Sequence, residues 1–110
     1  MPAKLSQELI AIGPHNFTVH EIPPQLIEPE YGHINYGALV IHLNASCSPS
    51  VKCETLYHEV LHGLLEGGGF SHLLKEAGVN EEALVQSLSM GLVDTLRRSP
   101  SLVQRLKYES

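Results

Sequence analysis

The pattern of hydrophobic and polar positions changes its period near residue 46. In the N-terminal part, short β-branched or alternating runs predict strands over Glu8–Ile12, Phe17–Ile22 and Ala38–Leu43. The four residues Gly13–Asn16 carry turn chemistry, so we expect the first two strands to form a hairpin. Pro23–Pro24 should end the second strand, because proline has no N–H to donate to the ladder.

The C-terminal part carries helical patterns separated by glycine and proline. A first long helix over about Val51–Glu66 begins after Ser48 and stops at Gly67–Gly69. Asn80 suits the N-cap of a second long helix over about Glu81–Arg98. Two shorter helices are predicted over Ser71–Glu76 and Ser101–Tyr108.

Apolar residues at helical spacing give the second long helix a stripe that should face the core. Its members are Leu84, Val85, Leu88, Leu92 and Leu96. Together these elements predict an α+β fold, in which a small antiparallel sheet packs on the two main helices. We expect a single domain over residues 1–110, with a sheet-forming half (1–45) and a helical half (48–110).

Composition and charge limit the classes of protein. The formal net charge is −5 with only seven Lys and Arg, which argues against a nucleic-acid partner, because phosphate contacts need clustered cations. No apolar run reaches the roughly 20 residues of a membrane span, and the first residues lack the apolar segment of a signal peptide. We therefore expect a cytoplasmic protein with no membrane contact. Cys47 and Cys53 are expected to be free thiols, because their spacing is not that of a CxxC metal pair.

The most informative segment is His58-Glu59-Val60-Leu61-His62, an H-E-x-x-H motif. On a helix His58 and His62 are one turn apart and point the same way, so their imidazoles can share one Zn²⁺. Glu59 lies about 100° around the helix from the first histidine. There it can reach a water on the ion, as a general base must, without easily binding the ion itself. A shuffled chain of this composition would contain about 0.04 such motifs, so coincidence is disfavoured.

A zinc site of this kind needs a third protein ligand. Leu65 and Gly68 occupy the positions at which longer motifs of this type continue with Gly and His. A glutamate in the first turn of the second long helix remains, either Glu81 or Glu82. Helical periodicity slightly favours Glu81, but the register of a first turn is uncertain by a residue, so both stay open. His72 is a further candidate, although a solvated histidine is the more common interpretation.

Several other polar residues are candidates for supporting roles. Those that could line a substrate cleft or polarise a carbonyl group are Tyr31, His33 and Tyr36. Glu54 and Glu66 lie one helical turn outside the histidine pair and could orient the imidazoles. His42 should face outward from its strand, and His15 and His20 are expected to be inert.

Longer segments of the chain resemble a known family. The segments are Tyr31-Gly32-His33, the strand Ala38–Leu43, Glu54–Leu65 and Asn80–Leu88. They are similar to small phage-type zincin-like metallopeptidases, to the broader ImmA/IrrE metallopeptidases and, more distantly, to gluzincins of the thermolysin type. The resemblance covers about residues 30–98, and H-E-x-x-H is the specific motif within it.

This resemblance implies zinc as the cofactor, with His58 and His62 as ligands and Glu59 as the general base for hydrolysis of a peptide or protein substrate. In the family, the ligand glutamate typically precedes an alanine or lies three residues before a valine. Both marks favour Glu82 over Glu81.

The resemblance also has departures and one structural implication. Gln86 stands where a carboxylate usually follows the ligand glutamate, and Tyr108 is the only downstream candidate for steadying an oxyanion. In zincin-type sheets a strand edge beside the active-site helix can pair with an extended substrate, and the strand Ala38–Leu43 is the candidate here.

Three hypotheses follow for the function. The first is a minimal zinc metallopeptidase. The alternative is a non-enzymatic, zinc-stabilised interaction module, of phage origin if the resemblance holds, because 110 residues leave little chain for a second cleft wall. The third is an enzyme whose cleft is completed by another chain. Glu59 separates the first hypothesis from the second, because a structural zinc site does not need a general base.

Overall fold

The computed structural model describes residues 8–108; the two ends of the predicted domain, residues 1–7 and 109–110, lie outside the described residues. Within the described part, strands come first and helices follow, so the α+β class is confirmed. The strands are β1 (Leu9–Ile12), β2 (His15–Ile22), β3 (Gly32–Asn35) and β4 (Val40–Asn44). The helices are α1 (Pro49–Gly67), α2 (Phe70–Glu76), α3 (Glu81–Arg98) and α4 (Pro100–Tyr108).

The sheet is mixed, and the prediction of an antiparallel sheet was wrong. Its strand order is β1-β2-β4-β3, with β1–β2 and β3–β4 antiparallel but β2–β4 parallel. The reason lies in the connection after β2, where a short 3₁₀ helix at Pro24–Leu26 and the loop after it lead to the outer edge of the sheet. The chain enters β3 there and returns through a hairpin as β4, which therefore runs parallel to β2.

The predicted turns differ from the structure at two places. The β1–β2 hairpin has a two-residue turn, because Ile12 already pairs with His15 and Gly13 adopts a positive φ of 58°. Ala38 and Leu39 belong to the β3–β4 turn instead of β4, and Leu39 has a φ of 57°. The strand predicted over Phe17–Ile22 therefore begins earlier in the structure, at His15, and the strand predicted over Ala38–Leu43 begins later, at Val40.

The helix boundaries were predicted closely. The Ser48 side chain caps α1 by accepting the N–H of Val51 at 3.2 Å, and the Asn80 side chain caps α3 by accepting that of Ala83 at 2.8 Å. The glycine run ends α1, as expected. Across residues 8–108, none of the helices combines the length and the hydropathy needed to cross a membrane.

The core lies between the sheet and α1. Its buried members come from three strands and are Ile12, Phe17, Val19, Ile41 and Leu43. Leu56 and Val60 of α1 pack against them. Helix α3 instead packs mainly on α1, with Val85, Ser89 and Val93 buried. The predicted stripe is therefore only partly correct, because Leu88 is 51% exposed and Leu92 38%.

Candidate metal centre

The two histidines of the motif lie on α1 where this helix faces the first turn of α3. Their ring centroids are 4.9 Å apart, as expected for positions one helical turn apart. Both rings are partly buried, with 13% and 16% of the side chains of His58 and His62 exposed. Burial of this degree limits the freedom of the rings and so fixes the directions of their nitrogen atoms.

Glu82 brings a carboxylate to both histidines at once. Its Oε2 lies 3.0 Å from Nε2 of His58, and its Oε1 lies 2.8 Å from Nε2 of His62. One potential ligand atom from each of the three residues lies within 4.8 Å of the others. Two imidazole nitrogens and a carboxylate oxygen at this separation could hold one metal ion.

Glu81 contacts the same imidazole from its other side. Its Oε2 lies 2.6 Å from Nδ1 of His62, and its side chain is less exposed than that of Glu82, 24% against 66%. The nearby Ser71 hydroxyl lowers the pKa of Glu81 most, burial opposes this shift, and His62 lowers the pKa further. Glu81 is therefore placed to accept a hydrogen bond from an Nδ1–H of His62, a contact that would orient the ring.

The protonation of His62 reflects this double contact. Burial acts to lower the pKa of His62, but hydrogen bonds with Glu81 and Glu82 outweigh burial and raise the pKa above its ordinary value. A neutral imidazole carries one N–H, so it can serve only one of the two carboxylates as a donor. A cation between Nε2 and Glu82 can take the place of the second proton.

Glu59 is the third polar residue of the motif, and only 7% of it is exposed. Burial raises the pKa of Glu59 to about 7, although His62 opposes the shift. A carboxylate with a pKa near neutrality is suited to general-base work, because it can both take up and release a proton.

These side chains open into a cleft of about 600 Å³ between β3, α1 and the start of α3. The predicted cleft residues Tyr31, His33 and Tyr36 line it together with the metal-ligand candidates. Burial, followed by the effect of Glu66 and other carboxylates, raises the pKa of Tyr36 to about 12. The Tyr36 hydroxyl therefore keeps its proton at neutral pH and can donate a hydrogen bond.

The edge strand beside the cleft is β3; the candidate strand Ala38–Leu43, for which the sequence left the edge position open, corresponds to β4 and is not an edge. β4 pairs on both sides, with β2 and with β3, whereas β3 is the outer strand. Sequence patterns missed β3 because Gly32–Asn35 contains a single apolar residue, Ile34. Its Gly32 allows close approach, since an added Cβ would lie 2.7 Å from the His42 carbonyl oxygen.

The remaining candidates lie elsewhere. His72 is 76% exposed and pairs with Glu76 at 3.3 Å. Glu54 pairs with Arg97 of α3 at 3.1 Å instead of orienting a histidine. Tyr108 is 75% exposed on α4 and does not line the cleft. Cys47 and Cys53 are free thiols, as predicted.

In comparisons with known proteins, no family model matches this chain, and no curated protein or solved structure shows significant similarity to it. The resemblance to zincin-like metallopeptidases thus stays a prediction that rests on the motif and on the residues around it.

Proposed function

We propose that this protein is a zinc-dependent metallopeptidase. The observation that carries the proposal is the convergence of His58, His62 and Glu82 beside the buried Glu59 in one cleft. Two imidazoles, one carboxylate and an open position suit zinc better than magnesium or calcium, which prefer oxygen ligands. In this proposal the three residues hold the ion, and a peptide or protein is the substrate.

When bound in such a site, zinc supplies Lewis-acid activation of water and of a carbonyl oxygen. The residues of the chain perform the proton transfers and the positioning. Glu59 takes the proton of the attacking water and passes it to the departing amine, a role that its raised pKa supports. Tyr36 donates its hydroxyl proton in a hydrogen bond to the developing oxyanion.

We assign substrate binding to the outer edge of β3. Strand β3 has one partner in the described sheet, and Gly32, His33 and Ile34 line the cleft. An extended peptide can add to such an edge through main-chain hydrogen bonds, which gives affinity with weak dependence on side chains. We further propose a cytoplasmic location, which the free Cys47 and Cys53 support.

The test combines metal content with turnover. We expect the purified wild-type protein to hold about one zinc per chain more than His58→Ala. We also expect cleavage of an unfolded protein by the wild type. Glu59→Gln should keep the zinc and lose the cleavage, whereas Glu76→Gln, a change on exposed α2, should leave both unchanged. Cleavage that survives Glu59→Gln would overturn the mechanism.

A second candidate function is a non-enzymatic module in which zinc joins two helices. The observation that favours it is that α3 packs mainly on α1, so the ligand set spans an interhelical contact. In that case the wild type would bind zinc without cleaving any peptide, and Glu59→Gln would change neither property. The same two measurements therefore separate the two functions.

A further inference from the structure

A second group of histidines lies on the face of the sheet that is opposite to α1. His20 of β2 pairs in register with His42 of β4, and His42 pairs in register with His33 of β3. The alternate positions Val19 and Ile41 are fully buried in the core beneath α1. Because successive side chains of a strand point to opposite faces, the three histidines form a row on the outer face.

Two of these rings meet nitrogen to nitrogen. Nδ1 of His42 lies 2.9 Å from Nε2 of His33, and the ring centroids are 4.7 Å apart. The ring of His20 is farther away, with a centroid distance of 6.0 Å from His42, and its Nε2 contacts the Thr18 hydroxyl at 3.0 Å. The close pair in the row is therefore His33 and His42.

The surroundings favour the tautomer that a metal needs at His33. Oε1 of Glu30 lies 3.4 Å from Nδ1 of His33, so the ring proton is favoured on Nδ1 and the lone pair on Nε2. That lone pair faces Nδ1 of His42. Without a metal, the Nδ1–H of His42 donates a hydrogen bond to this lone pair across 2.9 Å, and a bound metal ion would take the place of that proton.

This distance is close to that of a metal-bridged pair. Zn–N bonds of roughly 2.0–2.1 Å at a tetrahedral angle separate two nitrogen ligands by about 3.3 Å. The two rings need to move apart by only a few tenths of an ångström.

We propose that His33 and His42 form a second site for a divalent transition-metal ion, with water completing the coordination and Glu30 orienting His33. Imidazole ligands with open water positions suit zinc, nickel and copper ions. The row ends at the cleft, because Glu30 and His33 also line it. The proposal does not rest on the metallopeptidase function, since none of its ligands belongs to the His58–His62–Glu82 group.

The experiment uses the full chain with the first site removed by His58→Ala and His62→Ala, and Zn²⁺ alone as the probe. Calorimetric titration should show about one equivalent of zinc. Adding His42→Gln should weaken this binding at least tenfold. His20→Ala, a change in the same row at a position that is not a ligand, should leave it unchanged.

A second variant covers the case in which His42→Gln does not fold, as judged by circular dichroism. His33→Gln lies on the outer strand at a side chain that is 40% exposed, and it should weaken zinc binding equally. Failure to take up zinc, or equal affinity in His33→Gln and its parent, would overturn the proposal. A loss in His20→Ala as large as in His33→Gln would overturn the assignment of ligands.

Discussion

At the scale of single residues, the site depends on which side of His62 each carboxylate occupies. Glu82 lies at Nε2, the nitrogen on the side of His58, and Glu81 lies at Nδ1. Since Glu82, unlike Glu81, contacts both histidines, Glu82 is the candidate ligand and Glu81 is the candidate for positioning His62. Sequence periodicity weighed these residues as alternatives for one role, whereas the geometry gives each a role of its own.

The distinction predicts different effects of two neighbouring substitutions on zinc affinity. Glu82→Gln removes a ligand and should abolish zinc binding at the His58–His62 pair. Glu81→Gln should weaken binding by about 10- to 100-fold, because the His62 ring loses its orienting acceptor. Zinc titration of both variants checks this, with Glu76→Gln as the control. Equal losses in the two variants would show that both carboxylates bind the ion.

The raised pKa of Glu59 predicts a pH-dependent change in stability of the metal-free protein. A carboxyl whose pKa is about 7 when folded and ordinary when unfolded makes the folded state lose stability as the pH rises from about 4.5 to 7. Glu59→Gln removes that loss, which is of order 1–3 kcal/mol. The chelator-treated variant should therefore exceed the wild type in unfolding free energy at pH 8 by more than at pH 5. Equal differences in urea denaturation at the two pH values would contradict the shifted pKa.

Tyr36 predicts a further effect, on the reaction of the proposed peptidase. Tyr36→Phe keeps the ring but removes the hydroxyl that would stabilise the oxyanion. We expect kcat to fall by about 100-fold with little change in KM. Steady-state kinetics with Tyr31→Phe as the control checks this, because Tyr31 lines the same cleft but is 64% exposed. A rise in KM alone would instead indicate a role in substrate binding.

At the scale of elements, the sequence was most informative where local chemistry decides the outcome. The ends of the long helices lie where they were predicted. Helix α1 begins after Ser48 and ends in the glycine run, and α3 begins after Asn80, because caps and helix breakers act within a few residues. Strand β3 was missed because its ladder with β4 depends on a partner and not on its own pattern. The outward direction of Leu88 was missed for a similar reason, since packing on α1 selects the face with Val85.

Two glycines in helices predict opposite effects on stability. In Gly63→Ala the new Cβ would lie 3.0 Å from an Ile12 carbon and 3.2 Å from an Ile34 carbon, where α1 approaches the sheet closely. We expect a net loss of about 1 kcal/mol, because crowding exceeds the gain in helix propensity. Gly91→Ala meets nothing within 4 Å and should gain about 0.5–1 kcal/mol. Thermal denaturation of both variants checks the prediction, and stabilisation by Gly63→Ala would show that the helix–sheet contact has room.

At the scale of the whole molecule, polar side-chain contacts join α3 to α1 at both ends of α3. At the start of α3, Glu81 and Glu82 contact the histidines of α1. At its end, Arg97 binds Glu54 at 3.1 Å and the Ser50 hydroxyl at 3.3 Å. The contact between Arg97 and Glu54 is a partly exposed ion pair, which contributes little to the free energy of folding. The predicted metal site is therefore the stronger of these two polar connections, which add to the packing of α3 on α1.

This arrangement predicts that zinc changes the stability of α3 more than that of the sheet. On chelation, amide hydrogens of α3 should exchange faster, because the helix loses its connection to α1 near Glu82. Those of β2 should change little, since its core residues pack on α1 without help from α3. Hydrogen exchange measured by mass spectrometry with and without zinc tests this. Glu82→Gln serves as the control, because its exchange should not respond to zinc. Uniform protection of the sheet and α3 would mean that the ion stabilises the fold as a single unit, and the interhelical account would then be wrong.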